Sequence, residues 1–157
     1  MAEPFTPFSL PDLDGKRVGL ADFKGRTFVV VAFLRGSSCS HCVDLMIQLE
    51  ELKASVLARI PVLVVTPEPA GTTRSFLLRL ASERKLVLTH TFLVDGNFRF
   101  GALYNLTYDA GSKRGRTPFL FLLNRSGQQA WAWSSGHGAA LPVAPRLTEV
   151  IERLRRP

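Results

Sequence analysis

Residues 28–42 read FVVVAFLRGSSCSHC, and how this stretch is read decides the fold. With Thr27 ahead of it, the run to Leu34 is β-branched, aliphatic or aromatic without interruption. Such a run suits a strand covered on both faces, as in the middle of an α/β sheet. Arg35–Ser38 then makes a short turn containing Gly36. From Ser40 the apolar period lengthens: Val43, Met46, Ile47, Leu49, Leu52 and Val56 form one broad stripe. That stripe predicts a helix from Ser40 to about Arg59, stopped by Pro61. The only two cysteines of the chain, Cys39 and Cys42, therefore stand where a buried strand hands over to a helix.

The spacing is informative. Two cysteines placed at random in 157 residues fall three apart in about one or two chains in a hundred. At i and i+3 of a helix they share a face. Their Cα atoms lie roughly 5 Å apart, a separation that a disulfide accepts. Unpaired N–H groups and the helix dipole favour negative charge at the N-terminus, so Cys39 is the expected thiolate and nucleophile. Protonated His41 and Arg35 would add to that effect. Cys42, one turn deeper, is the expected resolving thiol, which attacks a mixed disulfide and releases the product.

Blander readings exist. The two thiols could be inert and buried, and His41 could be an exposed helix residue without a role. A structural zinc site wants four ligands, and His41, His90 and His137 are not at metal-ligand spacing from one another. A permanent disulfide across one turn closes too small a loop to stabilise much. No metal and no cofactor is expected.

Working outward, FSLPDLDGKRVGL (8–20) reads as two short strands around a turn at Asp12–Gly15. PVLVVT (61–66) is a second buried strand, and Thr72 or Thr73 is the expected cap of a helix running to about Lys85. HTFLVD (90–95) reads as a short strand, FRFGALYNL (98–106) as a short helix interrupted by Gly101, and DAGSKRGR (109–116) as a basic turn. PFLFLL (118–123) and QQAWAWS (128–134) read as a hairpin about NRSG, and Leu147, Val150, Ile151 and Leu154 mark a last amphipathic helix. The order β–α–β–α–β–β–α after an N-terminal β-hairpin implies an α/β fold, a central mixed sheet with helices on both faces. No repeat or linker interrupts it, so residues 1–157 read as one domain.

The bulk properties set limits. The net charge is +7, with 15 arginines among the 20 basic residues. These are scattered and carry no aromatic-interleaved motif, so no nucleic-acid partner is expected. The charge reads as solvated surface; docking of an acidic partner on Lys113, Arg114 and Arg116 is the sharper alternative. MAEPFTPFSL lacks the basic and apolar regions of a secretory signal, and FVVVAFL is far too short to span a bilayer. The expectation is a cytoplasmic chain without membrane insertion; a mature exported form with its signal trimmed would look the same.

DLDGKRVGLADFKGRTFVVVAFLRGSSCSHC (12–42) and RTPFLFLLNRSG (116–127) together resemble the thioredoxin-like superfamily. Within it, the chain resembles the alkyl hydroperoxide reductase/thiol-specific antioxidant (peroxiredoxin-like) branch with a CxxC motif, over residues 5 to 155. The resemblance implies a thioredoxin-like fold, with Thr117 and a cis Pro118 facing the cysteine pair and holding an extended substrate segment. The departures are specific. Ser38 stands where the family usually has Trp, and Ser40-His41 where thioredoxin has Gly-Pro. The peroxidase signature places Pro seven residues and Thr or Ser three residues before its cysteine. Counting back from Cys39 gives Ala32 and Gly36; from Cys42, Arg35 and Cys39. The usual arginine of the later strand is replaced around Pro118, although Arg116 is close by.

The expected function is thiol–disulfide oxidoreductase. Its partners are a protein or small-molecule disulfide and a thiol reductant or oxidant protein. The alternative is a thiol peroxidase, with Cys39 oxidised by peroxide and Cys42 closing the disulfide. A non-enzymatic redox-sensing or binding module is the third reading.

Overall fold

The computed structural model describes residues 4–100, 118–134 and 143–156. Strands β1 (Ser9–Pro11) and β2 (Arg17–Gly19) form the N-terminal hairpin. Its turn is closed by Asp12, whose Oδ1 accepts the N–H groups of Asp14 and Lys16, both at 2.9 Å. Strand β3 (Val29–Phe33) leads into helix α1 (Ser40–Leu52), then β4 (Val62–Thr66), helix α2 (Ala70–Arg84) and β5 (Thr91–Val94). Strands β6 (Phe119–Leu123) and β7 (Gln129–Ser134) precede helix α3 (Ala144–Arg155). The main sheet has the order β5-β4-β3-β6-β7, parallel from β3 to β5 and antiparallel from β3 to β7. This is a mixed α/β fold with an N-terminal hairpin.

Walking from β3 to β4 to β5 never reverses direction. Two right-handed crossovers in the same direction put their helices on the same face. Accordingly α1 and α2 pack with α3 against Val30, Ala32, Val62, Val64, Leu120 and Leu122. Leu45, Met46 and Leu49 of α1 are at 0% exposure, each worth about 1.5–3 kcal/mol of apolar burial. Val29, Val31 and Phe33 point the other way, towards Phe5, Phe8, Leu10, Leu20 and Phe121. Phe33 meets Phe8 and Phe121 edge-on, with ring centroids 6.3 and 5.9 Å away. Among the described residues this second face is covered by the hairpin region and by Phe98 and Phe100, which lie in a short helical segment from Gly96. The helix expected over 98–106 falls beyond residue 100 outside the described residues, as does the basic turn at 109–116.

Two helix boundaries and one stripe position differ from expectation. α1 ends at Leu52, before Arg59. Beyond it, hydrogen bonds from Ala54 to Glu51 and from Ser55 to Leu52 tighten the backbone, and Leu57 N–H reaches back to Leu52 O at 2.9 Å. Through this irregular turn Val56, Leu57 and Ile60 all reach the core. α2 starts after Pro69, without a side-chain cap. Thr73 lies inside its first turn and donates its hydroxyl to Pro69 O at 3.2 Å. In α3, Leu147, Val150 and Ile151 are buried, whereas Leu154 is 38% exposed. The start of α3 is capped from α1: Gln48 Oε1 accepts the N–H groups of Val143 and Ala144 at 2.8 and 3.0 Å.

Candidate active site

The loop between β3 and α1 is short and held at both ends. Leu34 N–H still reaches Val65 O, at 2.9 Å, so the chain leaves the sheet only at Arg35. Gly36 then takes φ +153°, a backbone angle that side chains disfavour. A Cβ there would also sit 2.7 Å from Glu68 Oε1. Glu68, just past β4, accepts the Ser37 N–H on Oε1 and the Ser37 hydroxyl on Oε2, the latter at 3.1 Å. Cys39 N–H closes the turn onto Gly36 O at 3.3 Å.

Cys39 is the N-cap of α1 and occupies the place where Ser or Asp commonly serves. Its Sγ accepts the N–H of Cys42 at 3.2 Å. Its carbonyl accepts the N–H of Val43 at 3.1 Å, the first bond of the helix. Cys39 is half-buried and Cys42 fully buried, both as free thiols. Cys42 Sγ accepts the N–H of Arg35 at 3.3 Å, so the loop folds back over it.

This geometry separates the two thiols. The Cys39 thiol is pushed down to about 6, first by a hydrogen bond from the Cys42 side chain; burial opposes the shift, while the Cys42 N–H and the charges of His41 and Arg35 add to it. The Cys42 thiol is pushed up, first by that same hydrogen bond, then by burial and by the neighbouring sulfur's charge. The pair therefore behaves as one acid that loses its first proton easily and keeps the second. The charge sits on the outer sulfur because the Cys42 thiol and the Cys42 N–H both donate to it, at a helix N-terminus.

Pro118 is buried and immediately precedes β6. Phe119 pairs with Phe33 across the sheet, so Pro118 lies at the same sheet end as the cysteine loop. Thr117, Arg116, Lys113, Arg114 and His137 lie outside the described residues. Among the described residues no group of three His, Cys, Asp or Glu side chains could hold a metal ion. No described helix is long and apolar enough to cross a membrane.

Ser37 and Glu68 escaped the sequence reading. The available signal was position: Glu68 follows β4, the parallel neighbour of β3. In an α/β sheet the loops at the carboxyl ends of adjacent parallel strands gather at one site. His90 was considered only as a metal ligand. It is buried beside α1, with Nε2 donating to Met46 O at 2.8 Å and Nδ1 3.5 Å from Glu50 Oε2.

A CxxC pair capping a helix, beside a five-stranded mixed sheet, defines a thioredoxin-like thiol oxidoreductase. More narrowly, the chain belongs to the Redoxin family, whose model matches residues 2–131. No curated protein matches the sequence. Among solved structures, the fold is similar to that of peroxidoxin BcpB from Mycobacterium tuberculosis, with TM-score 0.76 and 17% identity over 99% of this chain and 97% of that one. It is similar to a reduced 2-Cys peroxiredoxin of Plasmodium vivax, with TM-score 0.76 and 16% identity over 98% and 94%. It is also similar to a secreted Mycobacterium tuberculosis disulfide oxidoreductase homologous to Escherichia coli DsbE, with TM-score 0.66 and 18% identity over 93% and 95%.

Proposed function

We propose that the protein exchanges thiols with disulfides, with Cys39 as the attacking sulfur and Cys42 as the resolving one. The Cys39 thiolate attacks one sulfur of a substrate disulfide, and the other sulfur leaves as a thiolate that takes up a proton. Cys42 then gives up its proton and attacks Cys39 Sγ. The substrate's second thiol departs, and a Cys39–Cys42 disulfide remains. Two electrons have passed to the substrate, and a thiol reductant partner must restore the pair. Run in reverse, the same steps oxidise a dithiol partner.

The observation that carries this reading is the Cys42 N–H donated to Cys39 Sγ at 3.2 Å, with Cys42 itself buried. One sulfur is accessible and ionised; the other is protonated and waits until a mixed disulfide forms. Thr117 and Pro118 are proposed to hold the extended substrate, because Pro118 lies at the sheet end from which the cysteine loop leaves. A peroxidase reading lacks support in the loop: a buried Ala32 inside β3 and Gly36 stand at the signature positions, and neither offers a hydroxyl to a peroxide.

Reduced protein mixed separately with insulin and with hydrogen peroxide tests the choice. Rapid insulin reduction with slow peroxide loss is expected, and the opposite pattern would replace this reading with the peroxidase one. Cys42→Ser should accumulate mixed disulfides on Cys39. If Cys39→Ser accumulates them instead, the roles are reversed.

A further inference from the structure

Among the described residues the cysteine loop is tied at Arg35, whose N–H ends on Cys42 Sγ, and at Ser37, which is held from outside the loop–helix unit. Leu34 is bonded to β4 before it, and Cys39 caps α1 after it. Between them, the Ser37 N–H and hydroxyl both end on the Glu68 carboxylate. Glu68 is itself fixed: its N–H donates to Thr66 Oγ1 at 3.2 Å, and Thr66 O accepts Asp95 N–H at 2.8 Å from beyond β5. Gly36 accommodates the carboxylate, which passes where a Cβ would be. A small cavity lined by Leu34, Met46, Thr66 and Phe76 lies behind the contact.

We infer that Glu68 is a positioning residue for Cys39: its two bonds to Ser37 hold the Gly36–Ser38 turn so that Cys39 Sγ meets the Cys42 N–H. The inference rests on Cys39 being the attacking sulfur. A single carboxylate spans both Ser37 donors, and bonds to a charged acceptor are stronger than neutral ones. Released, the turn can swing Cys39 away from the helix N–H groups, and the thiolate loses the donors that stabilise it. Direct charge acts in the other direction, since a carboxylate near a thiolate raises its pKa. The two effects therefore predict opposite signs.

The test is the pH dependence of Cys39 alkylation, with the modified residue located by mass spectrometry, in full-length wild type, Glu68→Ala, Glu68→Gln and Ser37→Ala. Glu68→Ala is expected to move half-reaction to higher pH and to slow alkylation at pH 6 by about fivefold. Glu68→Gln should stay within about twofold of wild type, because its amide oxygen accepts the Ser37 N–H and its NH2 donates to Ser37 Oγ. Ser37→Ala removes one of the two bonds and should fall between them. A faster reaction in both Glu68 variants would mean that charge alone acts, and would overturn the inference. So would a lowered melting temperature with an unchanged alkylation profile, which is a structural role only. Failure of the parent reading looks different: wild type itself would show an ordinary thiol at Cys39 or no exchange with insulin.

Discussion

At the start of α1 a thiol gives up its proton more readily than usual; further along, against the same helix, His90 refuses one. Both groups are partly or wholly removed from water, and both touch the helix backbone. Cys39 Sγ receives the Cys42 thiol and the Cys42 N–H, so its anion gains donors. His90 instead donates to the Met46 carbonyl inside the helix. That carbonyl favours the charged ring, as does Glu50, but burial outweighs them and holds His90 down at about 4, with the Lys53 charge adding to the effect. The lesson is that burial alone suppresses charge. An ionised group inside this fold needs convergent partners of the right polarity.

The largest expected effect breaks the comparison at the sulfur. With a pKa near 6 in place of the ordinary 9.0, Cys39 should be roughly a hundredfold more ionised at pH 7 than an ordinary thiol, read by thiolate absorbance; its alkylation should be faster by a smaller factor, because nucleophilicity falls with pKa. The sign for stability follows. The reduced protein should gain stability as pH rises from about 6 towards 9.0, because the unfolded chain still holds the proton that folded Cys39 has lost. Above that range the raised Cys42 thiol works the other way, since only unfolded chains ionise it. Denaturant melts of reduced protein across pH check both limbs, and a flat profile from 6 to 9 sinks the claim.

At His90 the comparison is sharpened from the other side. Its pKa is 6.5 when unperturbed and about 4 when folded, so stability should fall as pH drops between those values, on the order of 3 kcal/mol. His90→Leu should flatten that window. The later fall through the carboxylate range would remain, because Glu50, held by Thr89 and Lys53, has a lowered pKa. Urea midpoints measured for both proteins decide it, and identical pH slopes would remove His90 from the account.

Gly36→Ala should be milder in stability yet visible at the site. The added Cβ would meet Glu68 Oε1 at an unfavourable φ, at a cost of roughly 1–2 kcal/mol. Slower Cys39 alkylation should accompany the loss of stability; a variant that melts lower with wild-type alkylation would show the loop tolerating the shift. The smallest expected effect is His41→Ala. His41 is exposed, and its charge is one of the lesser contributions at Cys39. Alkylation at pH 6 should slow by no more than about twofold, and less at high salt.

The strand–loop–helix unit was legible because each part obeys a local rule. The uninterrupted apolar run of β3, the period change at Ser40 and the cysteine spacing all lie within 29 residues, from Phe28 to Val56. The β6–β7 hairpin and the buried stripe of α3 were legible for the same reason. The end of α1 was not. Its stripe continues to Val56 in sequence and keeps the core contacts, but the backbone leaves the regular helix from Lys53 onward, which side-chain periodicity does not record. Leu154 shows the converse, a stripe position that the tertiary structure leaves partly in solvent.

By itself the sequence determined that a thiol pair opens a helix after a buried strand, since spacing, patterning and helix-end electrostatics are properties of neighbours along the chain. Only the tertiary structure decided what holds that pair: Glu68 on Ser37 and Arg35 N–H on Cys42. It also decided that His90 stays neutral and that Gln48 caps a helix 95 residues away. The physical reason is range. Hydrogen bonds and burial between segments far apart in sequence depend on how the strands are ordered, and strand order leaves no mark in a local pattern.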